Sequence, residues 1–69
     1  MKLRATKNCL EHHTTKNRLY DVNGFRVYDQ AVGFEIVNDN NEKIDAIDWD
    51  DFPFIIIYEE YDDLKLLDV

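Results

Sequence analysis

Apolar and polar side chains alternate along much of this chain with the two-residue period of β-strands, and no segment sustains the three-to-four-residue recurrence of a helix. Leu3-Arg4-Ala5-Thr6-Lys7 alternates as a half-buried strand does. Residues 8–17, with a Cys, two His and two Thr, carry no apolar period and read as a loop. From Arg18 onward, β-branched and aromatic residues dominate three stretches, 19–22, 25–28 and 34–37. Between the first two, Asn23-Gly24 admits two readings. A type I′ turn, with positive φ at both residues, would make a hairpin. A glycine bulge would instead leave residues 18–29 as one long bent strand.

Asn38-Asp39-Asn40-Asn41-Glu42 is a turn by composition, because Asn and Asp side chains cap their own backbone. It predicts a hairpin whose second arm is 43–48. Trp49-Asp50-Asp51-Phe52-Pro53 then predicts a short helical turn that ends the strand and redirects the chain. Phe54-Ile55-Ile56-Ile57-Tyr58 is the most strongly β segment, and it is apolar on both faces. Either Ile55 and Ile57 or Phe54, Ile56 and Tyr58 can face a core, so the other set needs a cover. The expected cover is the C-terminal Leu64, Leu66 and Leu67 folding back after Glu59-Glu60. The 8–17 loop and a second subunit pairing along the strand are the alternatives.

The expected fold is therefore all-β and mainly antiparallel: one small five-stranded barrel domain over residues 1–69, with a short helical turn near 49–52. The succession "RLYDVNGFRVYD", "GFEIVNDNNEK" and "IDWDDFPFI", after a short basic first strand and a Thr/Lys/Asn loop, resembles small SH3-like β-barrel proteins of bacteriophages and prophages. The resemblance spans residues 2–57. It implies a single long strand over 18–29 and a non-catalytic accessory role, and it carries over no site residues. Asn17 departs from the pattern, where such proteins often have glycine.

Sixty-nine residues allow one domain with a modest core, and 45% apolar residues with nine aromatics exclude wholesale disorder. The single cysteine, Cys9, forms no internal disulfide, and the first residues lack the apolar core of a signal peptide. No apolar run approaches the roughly 20 residues of a membrane helix. The expectation is a cytoplasmic protein, in a bacterial host cell, with no membrane partner. The net charge of −7 divides unevenly: six Lys/Arg against three Asp/Glu in residues 1–30, and two against twelve in 31–69. A local basic strip of Lys2, Arg4, Lys7, Lys16, Arg18 and Arg26 would face repulsion of any phosphate backbone by the acidic half, so direct nucleic-acid binding is not expected.

Candidate chemistry is sparse. Cys9-x-x-His12, with His13 beside it, supplies too few ligands for a structural zinc site, and a Cys–His catalytic pair would also need an orienting group and an oxyanion hole. Asp39, Asn41 and Glu42, or Asp48, Asp50 and Asp51, lack the spacing and central glycine of a dedicated calcium loop. Neither glycine opens a phosphate-binding loop. The expectation is no enzyme, no metal and no cofactor.

What remains is acidity. Neighbouring strands lie about 4.8 Å apart and same-face side chains recur every ~6.7 Å. Glu35, Glu42, Asp45, Asp48, Asp50 and Asp51 can thus form a two-dimensional negative array, and with Trp49 they are the expected partner-binding residues. The array's charge density approaches that of a nucleic-acid strand, with one charge per about 3.4 Å. The expected function is a phage- or prophage-encoded inhibitor or decoy that binds a host nucleic-acid-handling or defence protein. The alternative is a structural or accessory protein acting through self-assembly or contact with other phage proteins, as monomer or homodimer. The acids also serve solubility.

Overall fold

The computed structural model describes residues 1–59 and 64–67. Among the described residues six strands follow in order: β1 (Lys2–Ala5), β2 (Leu19–Asp21), β3 (Gly24–Tyr28), β4 (Ala31–Val37), β5 (Lys43–Ile47) and β6 (Phe54–Ile57). They form two antiparallel three-stranded sheets, ordered β2-β1-β6 and β3-β4-β5. Strand alternation sets which side chains meet. Leu3 lies between Tyr20 and Ile56, and Phe34 lies between Phe25 and Ala46. Leu3, Ala5, Tyr20, Phe34, Ile36, Ala46 and Phe54 are the buried apolar core, with Phe52 and Ile56 packed against it. Leu3 and Ile36 are fully enclosed, and each such burial stabilises by about 1.5–3 kcal/mol.

The all-β, antiparallel reading holds. The expected five strands closing into a barrel do not: six strands lie in two sheets whose ladders are separate. The difference arises at Val22-Asn23, where the chain changes sheet. Val22 N–H donates to Met1 O at 3.1 Å in the first sheet, and Asn23 N–H donates to Glu35 O at 2.9 Å in the second. Neither Asn23 nor Gly24 has positive φ, so no type I′ turn forms there. The chain runs on as in the bent-strand reading, but each half is laddered to different partners.

Gly24 is needed for space. A Cβ on it would lie 2.7 Å from Lys65 O and 2.8 Å from the Leu67 side chain. The C-terminal residues 64–67 pack there, with Phe25 N–H donating to Lys65 O (2.9 Å) and Leu67 N–H to Phe25 O (2.8 Å), a parallel bridge at the edge of β3. The tail therefore does not cover β6 as expected. It finds unpaired backbone groups on β3, and Ile55 stays 46% exposed on the outer face of β6. Of the two possible inward sets, Phe54 and Ile56 turn to the core, while Tyr58 is exposed.

Between β5 and β6 the expected helical turn is a single reverse turn, closed by Phe52 N–H donating to Trp49 O at 2.9 Å. Pro53, buried behind it, ends any continuation and accepts Thr6 N–H at 2.9 Å. No helix is present among the described residues, and none is long and apolar enough to cross a membrane.

Candidate functional site

The outer face of the second sheet carries part of the anticipated acidic array. Glu35 on β4 stands directly opposite Asp45 on β5, and Arg26 on β3 sits opposite Gly33. Because Gly33 has no side chain, Arg26 and Tyr28 can reach across β4. The guanidinium binds Asp45 Oδ1 at 2.6 Å and Glu35 Oε1 at 3.2 Å, and Tyr28 O–H donates to Asp45 Oδ2 at 2.6 Å. A Cβ on Gly33 would meet the Tyr28 ring at 2.9 Å. Desolvation disfavours the Arg26 charge, but the hydrogen bonds to Glu35 and Asp45 outweigh it and hold the proton more tightly than usual. The bond to Asp45 likewise pushes the Tyr28 phenol up, with desolvation acting in the same sense. Glu35 and Asp45 are thus tied into a local network in which one guanidinium offsets one of their two negative charges.

A second cluster joins the 8–17 loop to the β4–β5 turn. Asn38 is 5% exposed and fully used: Oδ1 accepts from the Asn40 and Glu42 amides (3.0 and 2.9 Å), and Nδ2 donates to His12 O (2.9 Å) and Glu42 Oε1 (3.2 Å). Asp39 accepts from Thr15 Oγ1 (2.6 Å), Arg18 Nη1 (2.7 Å) and Tyr20 O–H (2.8 Å). The bonds from Thr15 and Tyr20 hold its carboxyl below the usual range against desolvation, with Arg18 adding to them. Asn17 and Asn41 take positive φ, 69° and 61°. Asn17 thereby supplies the left-handed backbone that glycine adopts most readily, in keeping with asparagine's tolerance of that region. Glu42, Asp39 and Asn41 are accordingly turn and clamp residues.

The remaining acids gather at one corner. Trp49 is 69% exposed on the turn after β5. Together with Asp48, Asp50, Asp51 and Gln30 it lines one concavity; with Glu11, His12, Asp45, Ile47, Asp51 and Pro53 it lines a second. Asp48 Oδ1 accepts Val32 N–H at 2.8 Å, which anchors the turn to β4. Neither concavity has a Lys or Arg in its wall, and Asp50, Asp51 and Glu11 form no ion pair among the described residues. The fold thus brings Asp48, Trp49, Asp50 and Asp51 together, and adds Glu11 from the loop, which reading along the chain did not connect with them. Glu35 and Glu42 belong to the other two clusters.

The Cys–His pair does meet: Cys9 Sγ lies 3.0 Å from His12 Nδ1. The His12 ring is packed edge-on against Phe54, with centroids 6.0 Å apart, and no carboxylate among the described residues hydrogen-bonds it. Among those residues no group of three or more His, Cys, Asp and Glu is arranged to hold a metal ion. Of the proposed basic strip, Lys2, Arg18 and Arg26 are each paired with carboxylates, on Asp21, Asp39 and Glu35 with Asp45. No family model, no curated protein and no solved structure matches this chain.

Proposed function

We propose that this chain is a non-enzymatic protein-binding module that engages a basic surface of a partner protein through the Trp49 corner. One observation carries the reading: a largely exposed tryptophan stands among Asp48, Asp50 and Asp51, with no cation in the walls around it. An exposed indole offers a large, rigid apolar surface with one polar N–H, the kind of side chain enriched at interfaces. Tryptophan anchors are also where binding energy concentrates in interfaces. Surrounding carboxylates add long-range attraction for a basic partner and raise the association rate.

The finer reading is a decoy of phage or prophage origin on an SH3-like framework, directed at a nucleic-acid-handling protein, whose basic surface is built for phosphates. The test is capture of partners from a bacterial lysate on immobilised protein, followed by association kinetics with the captured partner at several salt concentrations. Replacing Asp48, Asp50 and Asp51 together by Asn is expected to slow association and flatten its salt dependence, because exposed charges are screened within ~8 Å at physiological ionic strength. An unchanged rate and salt slope would refute the site. Competition by duplex DNA for the same partner supports the decoy reading; capture without competition removes it.

A second reading, self-assembly, rests on β6, the edge strand of its sheet, with Ile55 exposed on it and Tyr58 exposed just beyond it. Light scattering distinguishes the two, since Ile55→Lys would dissociate a β6-paired dimer and leave the Trp49 corner intact.

A further inference from the structure

We infer that the groove between the 8–17 loop and the turn after β5 receives a single arginine side chain of the partner, an inference that rests on the Trp49 corner being the contact surface. The groove, about 310 Å³, is walled by Glu11, His12, Ile47, Trp49, Asp51 and Pro53. Its size falls at the bottom of the ~300–1,000 Å³ range of ligand pockets, suited to one long side chain. Its lining joins two kinds of surface. Ile47, Trp49 and Pro53 offer apolar contact to an aliphatic stem, and Glu11 and Asp51 offer carboxylates for a cationic head.

Charge complementarity selects the occupant. Asp45 also borders the groove, but both its oxygens are taken by Arg26 and Tyr28. The demand for positive charge therefore comes from Glu11 and Asp51, which lie on separate segments and have no ion pair among the described residues. An anionic ligand would be repelled by both, and a neutral one would gain nothing from their charge. Arginine fits better than lysine on two counts: its planar guanidinium stacks on an indole face, and its forked donors can serve two carboxylates at once.

The test uses the full chain, labelled with ¹⁵N and titrated with N-acetyl-arginine amide, its neutral citrulline counterpart and N-acetyl-lysine amide. Expected is a saturable shift of the Trp49 indole N–H and of the Glu11, Ile47 and Asp51 amides with the arginine compound. Citrulline should bind roughly 2- to 30-fold more weakly, the range a cation over an indole commands. Glu11→Gln and Asp51→Asn, both exposed and free of structural bonds, should each weaken arginine binding without shifting the thermal midpoint. Equal binding of citrulline, equal binding of lysine, or shifts confined to other residues would overturn the inference. Poly-lysine added in a parallel titration separates the two levels. If poly-lysine shifts the 48–51 turn while the arginine compound does nothing, the groove assignment fails and the binding surface stands. If neither shifts it, both fail.

Discussion

Gly24→Ala is the sharpest available test of how the C-terminal residues are held. The added methyl would lie 2.7 Å from a backbone oxygen, Lys65 O, and 2.8 Å from Leu67. A backbone atom cannot swing aside, so residues 64–67 must leave β3. Two backbone hydrogen bonds are then lost, Phe25 N–H to Lys65 O and Leu67 N–H to Phe25 O, each worth about 0.5–1.5 kcal/mol net. Partial exposure of Leu67 adds to the loss, and stiffening of the unfolded chain by alanine returns about 0.4–1 kcal/mol. The net is a loss of about 1–3 kcal/mol, or roughly 5–20 °C in thermal midpoint for a domain of this size. Urea and thermal melts measure it, and faster hydrogen exchange at the Phe25 amide reports the detached tail directly. The decisive comparison repeats the change in a chain lacking residues 62–69. With nothing to collide with, Gly24→Ala should there be neutral or slightly stabilising. An equal loss in both backgrounds would refute the account. Gly33→Ala is a contrast in kind: its methyl meets the Tyr28 ring at 2.9 Å, so its effect should appear in the Tyr28–Asp45 hydrogen bond and be the same with or without residues 62–69.

Asn38→Ala should destabilise by about 2–4 kcal/mol, because removing one buried side chain leaves His12 O and the Asn40 and Glu42 amides without partners, each such loss costing about 1–3 kcal/mol when water cannot replace it; a urea midpoint within error of the parent would show that solvent fills the gap. The alkaline limb of stability should fall above about pH 10, since the Tyr20 phenol is raised chiefly by burial and the Tyr28 phenol chiefly by its bond to Asp45. Neutral phenols stabilise the fold fully below their unfolded values, and that contribution is lost as pH rises through the raised folded ones. Tyr28→Phe should flatten part of that limb; an identical pH profile would remove Tyr28 as a contributor.

Strand positions were largely readable from alternation, since burying one face of a sheet imposes a two-residue period. Leu3 and Ala5 inward with Arg4 outward, and Phe34 and Ile36 inward with Glu35 outward, follow it directly. Pairing was less legible. That β2 joins β1 while β3 joins β4 depends on a change of sheet at Val22-Asn23 that has no residue signature, because neither residue takes positive φ. The glycine beside it invited a turn reading, yet its missing side chain makes room for residues 64–67, contacts distant in the chain. The tail itself was assigned to the wrong strand for a related reason. Apolar periodicity shows that Leu64, Leu66 and Leu67 seek cover, and says nothing of which sheet edge has free backbone groups.

The acidic half taught the opposite lesson, because sign along the chain was plain and its partial cancellation in space was not. Arg26 belongs to the basic first half, but β3 pairing with β4 places it opposite Gly33, where an absent side chain lets one guanidinium reach both Glu35 and Asp45. Charges read as a continuous array are thereby divided, and its carboxylates without a hydrogen-bond or ion-pair partner among the described residues are Asp50 and Asp51 on the turn after β5, with Glu11 joining them from a loop that shows no acidic run. In the proposed function, electrostatic attraction to a basic partner would then come from a corner instead of a face. A corner has room for few contacts, so specificity must rest on what a single anchoring groove admits. Under the proposed reading, the arginine titration, more than the count of carboxylates, decides how a basic partner would be recognised.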